Sequence, residues 1–264
     1  MRVFVTGATG FIGSVLVKDL IAAGHKVLGL TRSDAGAKAL SAAGAEVRHG
    51  SLEDLDGLRK AAAESEGVIH LAFNHDFTNF QQNCENDRKV IEAMGSALIG
   101  SERPFIITSG TGIANSVPGQ PAKEDNPTIS HIPRALSEEA AEEVAKKGVR
   151  VSIVRLPQVH DPLKQGLITY AVQIAREKGK AAYIGDGSNR WPAAHVNDAA
   201  ILYRLALEKS AKRAVYHAVA EEGVAMKEIA QVLGEGLKLP VVSLTEEEAP
   251  AHFGWLAMFA NRDM

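Results

Sequence analysis

The sequence predicts an α/β fold, a doubly wound parallel sheet followed by a small C-terminal substrate lobe. Two observations carry that reading. Short apolar strand patterns alternate with helical patterns over the first 155 residues, which is the rhythm of parallel strands joined by right-handed crossovers. A turn containing three glycines joins the first strand pattern to the first helical one. Residues 1–155 are therefore expected to form a nucleotide-binding domain. Residues 156–264 are expected to form a mixed lobe folded onto it as one compact unit, since no clean linker separates the two.

The first strand is Val3, Phe4 and Val5, an apolar run suited to complete burial. Gly7, Gly10 and Gly13 follow at once, and helical spacing begins at Phe11. Gly7 permits the tight turn, Gly10 lets a pyrophosphate approach the backbone, and Gly13 lets helix and strand pack closely. Together with Thr9, Phe11 and Ile12, these residues form a Rossmann-type turn whose helix start faces phosphate.

The second strand, residues 26–30, ends in Thr31-Arg32-Ser33 where an NAD-selecting carboxylate would stand. A guanidinium beside hydroxyls suits a 2′-phosphate, so NADP(H) is expected in preference to NAD(H). Helix 35–43 leads to strand 46–49, after which Ser51 and Leu52 are placed to meet the adenine. Helix 55–63 leads to the fourth strand, 67–72, in which His70 reads as a packed core residue. Ala72 and Phe73 open a loop over the cofactor that runs to Gln82. An amphipathic helix over 84–99 precedes strand 104–108, which ends at Ser109.

Breakers dominate residues 113–132, among them Pro118, Gly119 and Pro127. Helix 134–147 carries an acidic run, Glu138-Glu139 with Glu142-Glu143, that reads as a solvated face. Strand 149–156 ends in Pro157-x-Val159-His160. Beyond it come helix 167–178, strand 181–184, a Gly185-Asp186-Gly187 turn and the segment Arg190-Trp191-Pro192. Helices over 199–208 and 226–233 and strands 215–218 and 241–244 complete the chain. Trp255 and Phe259 sit at helical spacing, suited to cap the core or meet a second subunit in a homodimer.

Charge and composition exclude several classes. Lys plus Arg is 29 against 32 for Asp plus Glu, a net charge of −3, which argues against a general nucleic-acid or membrane-surface binder. The single cysteine, Cys84, forms no internal disulfide and no metal cluster. The chain opens directly into a strand, without a signal pattern, and a cytoplasmic protein is expected.

Several of these pieces resemble the short-chain dehydrogenase/reductase superfamily in its extended, epimerase/dehydratase-like branch. They are Thr6-Gly7-x-x-Gly10-x-x-Gly13, His70-Leu71-Ala72, Ser109, Arg155-x-Pro157-x-Val159, Gly185-Asp186-Gly187 and His195-Val196-x-Asp198, in the expected order. The resemblance implies a chain running a little past Met264. It also implies a catalytic Ser with a Tyr-x-x-x-Lys pair, the tyrosine acting as a tuned proton donor. The sequence breaks that pattern. No tyrosine lies between Ser109 and the sixth strand, and alignment puts Arg134 at the tyrosine position and Glu138 at the lysine position. An arginine is a poor proton shuttle but a good hydrogen-bond donor to an oxyanion.

Three readings follow. In the leading one the chain is an NADP(H)-dependent oxidoreductase with a reassigned acid. Ser109 polarises a small carbonyl or alcohol substrate, and His160, Tyr170 or a water moves the proton. In a variant of it, Arg134 and Glu138 pair with each other, or bind an acidic substrate together with Arg190. In the alternative the chain binds NADP(H) without turnover and reports redox state. A nucleotide-sugar epimerase or dehydratase ranks third. Arg190 and Trp191 are the candidate substrate-facing residues, and no metal is expected.

Overall fold

In the computed structural model, residues 1–114 and 120–264 are described, so Pro118 and Gly119 lie outside the described residues. In chain order the elements are β1 (Arg2–Thr6), α1 (Phe11–Ala22), β2 (Lys26–Thr31), α2 (Asp34–Ala42), β3 (Glu46–His49), α3 (Leu55–Ala63), β4 (Gly67–His70), α4 (Phe80–Ser96), β5 (Pro104–Gly110), α5 (Ala135–Lys146) and β6 (Arg150–Leu156). They continue with β7 (Gln158–His160), α6 (Ile168–Lys178), β8 (Ala181–Ile184), β9 (Arg190–His195), α7 (Val196–Lys209), β10 (Val215–His217), β11 (Glu221–Ala225), α8 (Met226–Leu237), β12 (Val241–Leu244), α9 (Ala249–Phe253) and α10 (Ala257–Ala260).

Seven strands form one sheet in the order β10-β6-β5-β4-β1-β2-β3, and every pairing in it is parallel. The order reverses at β1, between β4 and β2, which is where an open α/β sheet leaves a crevice at its carboxyl edge. Both faces are covered. Phe4, Val68, Phe105 and Ile107 pack toward α3, α4 and α5, whereas Val3, Val5, Ile69 and Ile106 pack toward α1 and α7. Alternation along each strand sends neighbouring residues to opposite faces.

The chain divides into two units. The first holds residues 1–114, 123–156 and 196–218, and the second holds residues 120–122, 157–195 and 219–264. A division at residue 155 thus needs two corrections, because residues 196–218 belong to the first unit and residues 120–122 to the second. Strand β10 pairs with β6, and α7 buries Tyr203 and Leu207 at 0% exposure on the sheet. A strand hydrogen-bonded to the main sheet and a helix buried on it go with that sheet, whatever their place in the sequence.

The second unit contains a three-stranded sheet, β11-β9-β7, and a two-stranded one, β12-β8, around a core that includes Trp191, Ile184, Met226 and Phe253. The sequence patterns miss β7, which has only three residues, and β9 and β11, which Pro192 and Gly223 interrupt. Helix α4 begins at Phe80, four residues earlier than expected, so the loop after β4 is shorter.

Candidate active site in the first unit

Gly7 adopts φ +67°, and a Cβ there would lie 2.8 Å from the Ala72 nitrogen. At Gly13 a Cβ would lie 2.0 Å from the Gly7 oxygen, so only glycine lets α1 start against β1. At Gly10 an added Cβ meets only the Gly7 oxygen, at 3.1 Å, leaving that side of the turn open. No side chain caps α1 at Gly10. An open glycine face at an uncapped helix start fits a pyrophosphate, so the residues present suit a dinucleotide. Thr9, Phe11 and Ile12 complete this turn.

Arg32 is exposed immediately beyond β2. Its neighbour Ser33 is already engaged, because its hydroxyl accepts the Gly36 N–H and caps α2. Ser51 and Leu52 are half-buried after β3, and Leu52 packs against the core. Hydrogen bonding around Ser51, with the charge of Arg32 adding to it, holds the Glu53 carboxyl below its usual range. Ala72 and Phe73, also half-buried, follow β4.

A hydrogen-bonded chain runs from this turn to the substituted tyrosine position. Thr6 Oγ1 accepts the Ala72 N–H at 3.3 Å and stands 2.6 Å from His70 Nδ1, within hydrogen-bond distance. The ionised Asp87 carboxylate can only accept, so His70 Nε2–H donates to its Oδ1 at 3.0 Å. Asp87 Oδ2 in turn accepts from Arg134 Nη1 and from the Ser137 hydroxyl, each at 2.6 Å. Arg134 Nη1 also donates to Ser137 Oγ, and Nη2 donates to the Thr108 carbonyl at 2.7 Å. The guanidinium carbon stands 4.3 Å from the Phe73 ring centroid, a cation–π contact. Asp87 is 2% exposed. Burial alone would raise its carboxyl, but Arg134, His70 and Ser137 outweigh that and hold it far below the usual range.

Arg134 and Glu138 lie one turn apart on α5 yet do not pair with each other, which corrects that expectation. Glu138 turns to β6, where Arg155 grips it side-on, Nε to Oε1 and Nη2 to Oε2, both at 2.8 Å. Thr128 Oγ1 donates to the same carboxylate at 2.6 Å. Burial opposes ionisation of Glu138, and the hydrogen bonds and charge of Arg155 overcome it. The solvated-face reading therefore fails at Glu138, which is 6% exposed, although Glu139, Glu142 and Glu143 are exposed. Each charge that replaces the tyrosine or lysine thus has its own buried counter-charge.

Ser109 is 4% exposed, and its Oγ makes no well-aligned hydrogen bond among the described residues, although it helps keep Glu138 ionised. Tyr203 reaches the end of β5, with its hydroxyl 2.7 Å from Thr108 Oγ1. Tyr203 is 0% exposed, so its phenol, which burial holds well above its ordinary value, presents no face to a substrate.

The other expected residues belong to the second unit. Pro157 and Val159 flank the start of β7. His160 and His195 are register partners on β7 and β9, with ring centroids 5.8 Å apart and edge to face. Tyr170 meets Trp255 in an edge contact at 5.0 Å. Arg190 is exposed, and its Nη1 donates to the Gly223 carbonyl. Trp191 is not substrate-facing: it is 1% exposed and its indole N–H donates to the Arg262 carbonyl, as a buried tryptophan usually requires.

Sequence reasoning missed Asp87 and Ser137. Asp87 leaves a legible signal, because it stands in the buried stripe Asn83, Asp87, Val90, Ile91 and Met94 of α4. A carboxylate on an apolar face demands a partner.

A reversed parallel sheet with a glycine turn at its first crossover defines a Rossmann-type dinucleotide-binding protein. The sequence model described as NAD dependent epimerase/dehydratase family matches residues 3–220, and the chain belongs to that family. It is 48% identical over 264 residues to an uncharacterized protein of Schizosaccharomyces pombe, covering 100% of this chain and 90% of that one. An uncharacterized protein of Saccharomyces cerevisiae is 45% identical over 268 residues, covering 100% and 89%. The sterol-4-alpha-carboxylate 3-dehydrogenase, decarboxylating, of Dictyostelium discoideum is 28% identical over 239 residues, covering 84% and 72%. Among solved structures, a dTDP-glucose 4,6-dehydratase from Streptomyces venezuelae with NAD bound has a TM-score of 0.76 at 20% identity, covering 93% of this chain and 84% of that chain. A UDP-glucose 4-epimerase from Thermus thermophilus, in complex with NAD, has a TM-score of 0.70 at 22% identity, covering 93% and 86%. Both structural likenesses are likenesses of fold. Among the described residues no helix is long and apolar enough to cross a membrane, and no group of three or more His, Cys, Asp or Glu is placed to hold a metal.

Proposed function

We propose that the protein is an NAD(P)(H)-dependent oxidoreductase acting on a small carbonyl or alcohol, with NADP(H) preferred through Arg32. When bound, the nicotinamide supplies or accepts hydride at the substrate carbon. In this reading Arg134 does part of the work of the absent tyrosine: it donates a hydrogen bond to the substrate oxygen as negative charge develops there. It does not give up a proton. In the reducing direction hydride adds to the carbonyl carbon, the C=O electron pair moves to oxygen, and a water supplies the proton.

The observation that carries this reading is the fixing of Arg134 on three sides, by Asp87, Ser137 and the Thr108 carbonyl. A donor that is already oriented loses little entropy when charge develops beside it, which is the basis of oxyanion stabilisation. The Dictyostelium relative's name is that of a dehydrogenase, which agrees with an oxidoreductase.

NADPH oxidation against a panel of aldehydes, ketones and 2-oxo acids tests it, with cofactor binding measured separately by fluorescence. Turnover of any member supports the reading. Tight NADPH binding with no turnover across the panel favours the second reading, a non-catalytic NADP(H)-binding regulator. One observation favours that second reading: both positions of the catalytic pair are tied into ion pairs that contain no titrating phenol or ammonium.

A further inference from the structure

Arg134 has donors left over. A guanidinium carries five N–H groups, and three are spent: two from Nη1, on Asp87 and Ser137, and one from Nη2, on the Thr108 carbonyl. Among the described residues nothing takes Nε–H or the second Nη2 hydrogen. Nε and Nη2 are the two atoms that Arg155 uses to grip Glu138. Leaving them unpaired in the interior costs free energy, but 13% of the Arg134 side chain is exposed, so a ligand can reach it. Beside it stands a wall of aromatic rings. Phe73 touches Phe80 edge-on at 6.2 Å and His75 at 5.4 Å, and Phe77 lies 5.7 Å from Phe80. All three phenylalanines are half-buried.

We infer that the substrate is a 2-oxo acid, or its 2-hydroxy acid, with an apolar or aromatic side chain. The two remaining donors of Arg134 take the keto oxygen and one carboxylate oxygen, and the body of the substrate lies along Phe73. This rests on the oxidoreductase reading of the same site and narrows its substrate. Neighbouring donors on a planar fork match two oxygens on adjacent carbons, and a lone aldehyde or ketone oxygen fills only one of them. Asp87 is then a positioning residue. It touches no substrate, but it turns the guanidinium so that Nε and the free Nη2 hydrogen stay available. Phe73 fixes the plane of the fork.

Three probes that share a benzyl group separate the contributions: phenylpyruvate, its methyl ester and phenylacetaldehyde. Binding of the three probes is measured calorimetrically in the presence of NADP⁺, which cannot give them hydride, with phenyllactate in the presence of NADPH as the unreactive counterpart, alongside NADPH oxidation. Phenylpyruvate is expected to bind at least about tenfold more tightly than the aldehyde, with the ester between them. Arg134→Lys, which keeps the charge and its attraction to Asp87, should collapse that order, chiefly through KM. Asp87→Glu should partly retain the order. Equal binding of acid and aldehyde, or an order that survives Arg134→Lys, overturns the inference. Oxidation of NADPH by the aldehyde with no carboxylate preference sinks the substrate class alone. Tight phenyllactate binding without turnover of any probe sinks the oxidoreductase reading and leaves the anion fork standing.

Discussion

Asp87 of α4 and Arg134 at the start of α5 form an ion pair at 2.6 Å, with the carboxylate 2% and the guanidinium 13% exposed. One partner of a pair this deep cannot be removed cheaply, because the other is left charged and poorly solvated. Asp87→Asn is expected to lower unfolding stability by about 3–5 kcal/mol. The Arg134→Met, Asp87→Leu double variant removes both charges and should recover much of that loss. Urea unfolding of the three proteins checks it, and equal stability of wild type and Asp87→Asn would contradict the burial argument.

Asp87 and Glu138 both titrate below their ordinary range in the fold. A carboxyl depressed on folding contributes stability that is complete above its unfolded pKa, about 3.9 for Asp and 4.3 for Glu, and that fades as pH falls toward the folded value. The protein should therefore be insensitive to these two groups above about pH 5 and lose stability progressively below it. In Glu138→Gln the acid limb should be shallower, while stability at pH 7 should drop. An unchanged acid limb in that variant would remove Glu138 from the account.

Glycine and arginine positions divide the cofactor site into shape and selectivity. Gly13→Ala pushes a Cβ into the Gly7 carbonyl and should abolish binding of both NADPH and NADH by deforming the turn. Arg32→Ala should weaken NADPH by roughly tenfold to a hundredfold, the worth of a charge-assisted hydrogen bond, and leave NADH nearly unchanged. Fluorescence titration with both cofactors reads the difference. Equal losses for the two would mean that Arg32 does not meet a 2′-phosphate.

The Cys84 thiol is fully buried, and burial pushes its pKa up to about 11. Thiolate is the reactive form, so the native protein should resist a thiol reagent at pH 8 and react once unfolded. Prompt native-state labelling would show that α4 opens easily around Asp87.

The glycine turn after β1 was legible in the residues, because such a turn needs both spacing and context and Met1 to Gly13 supply both. The absence of a tyrosine was equally legible, as was the arginine in its place. Partners were not. Arg134 and Glu138 share a helix face, and spacing alone pairs them. Only the tertiary structure shows that α4 presents a carboxylate to the first and β6 a guanidinium to the second. Tyr203, 95 residues from Thr108 in sequence, could not have been placed at the end of β5 by any local pattern. Trp191 reads as substrate-facing or core-packed with equal weight, the first by resemblance of its segment, and it lies buried in β9, a strand whose pattern Pro192 masks.

Whether Arg134 serves the reacting oxygen without giving up a proton is decided by steady-state NADPH oxidation in wild type and Arg134→Lys, with cofactor affinity measured alongside. Unchanged NADPH binding is expected, with a fall in kcat/KM of about a hundredfold, the usual loss when one oriented oxyanion donor is removed. Unchanged kcat/KM in the variant would contradict that role and move the chemistry to another group.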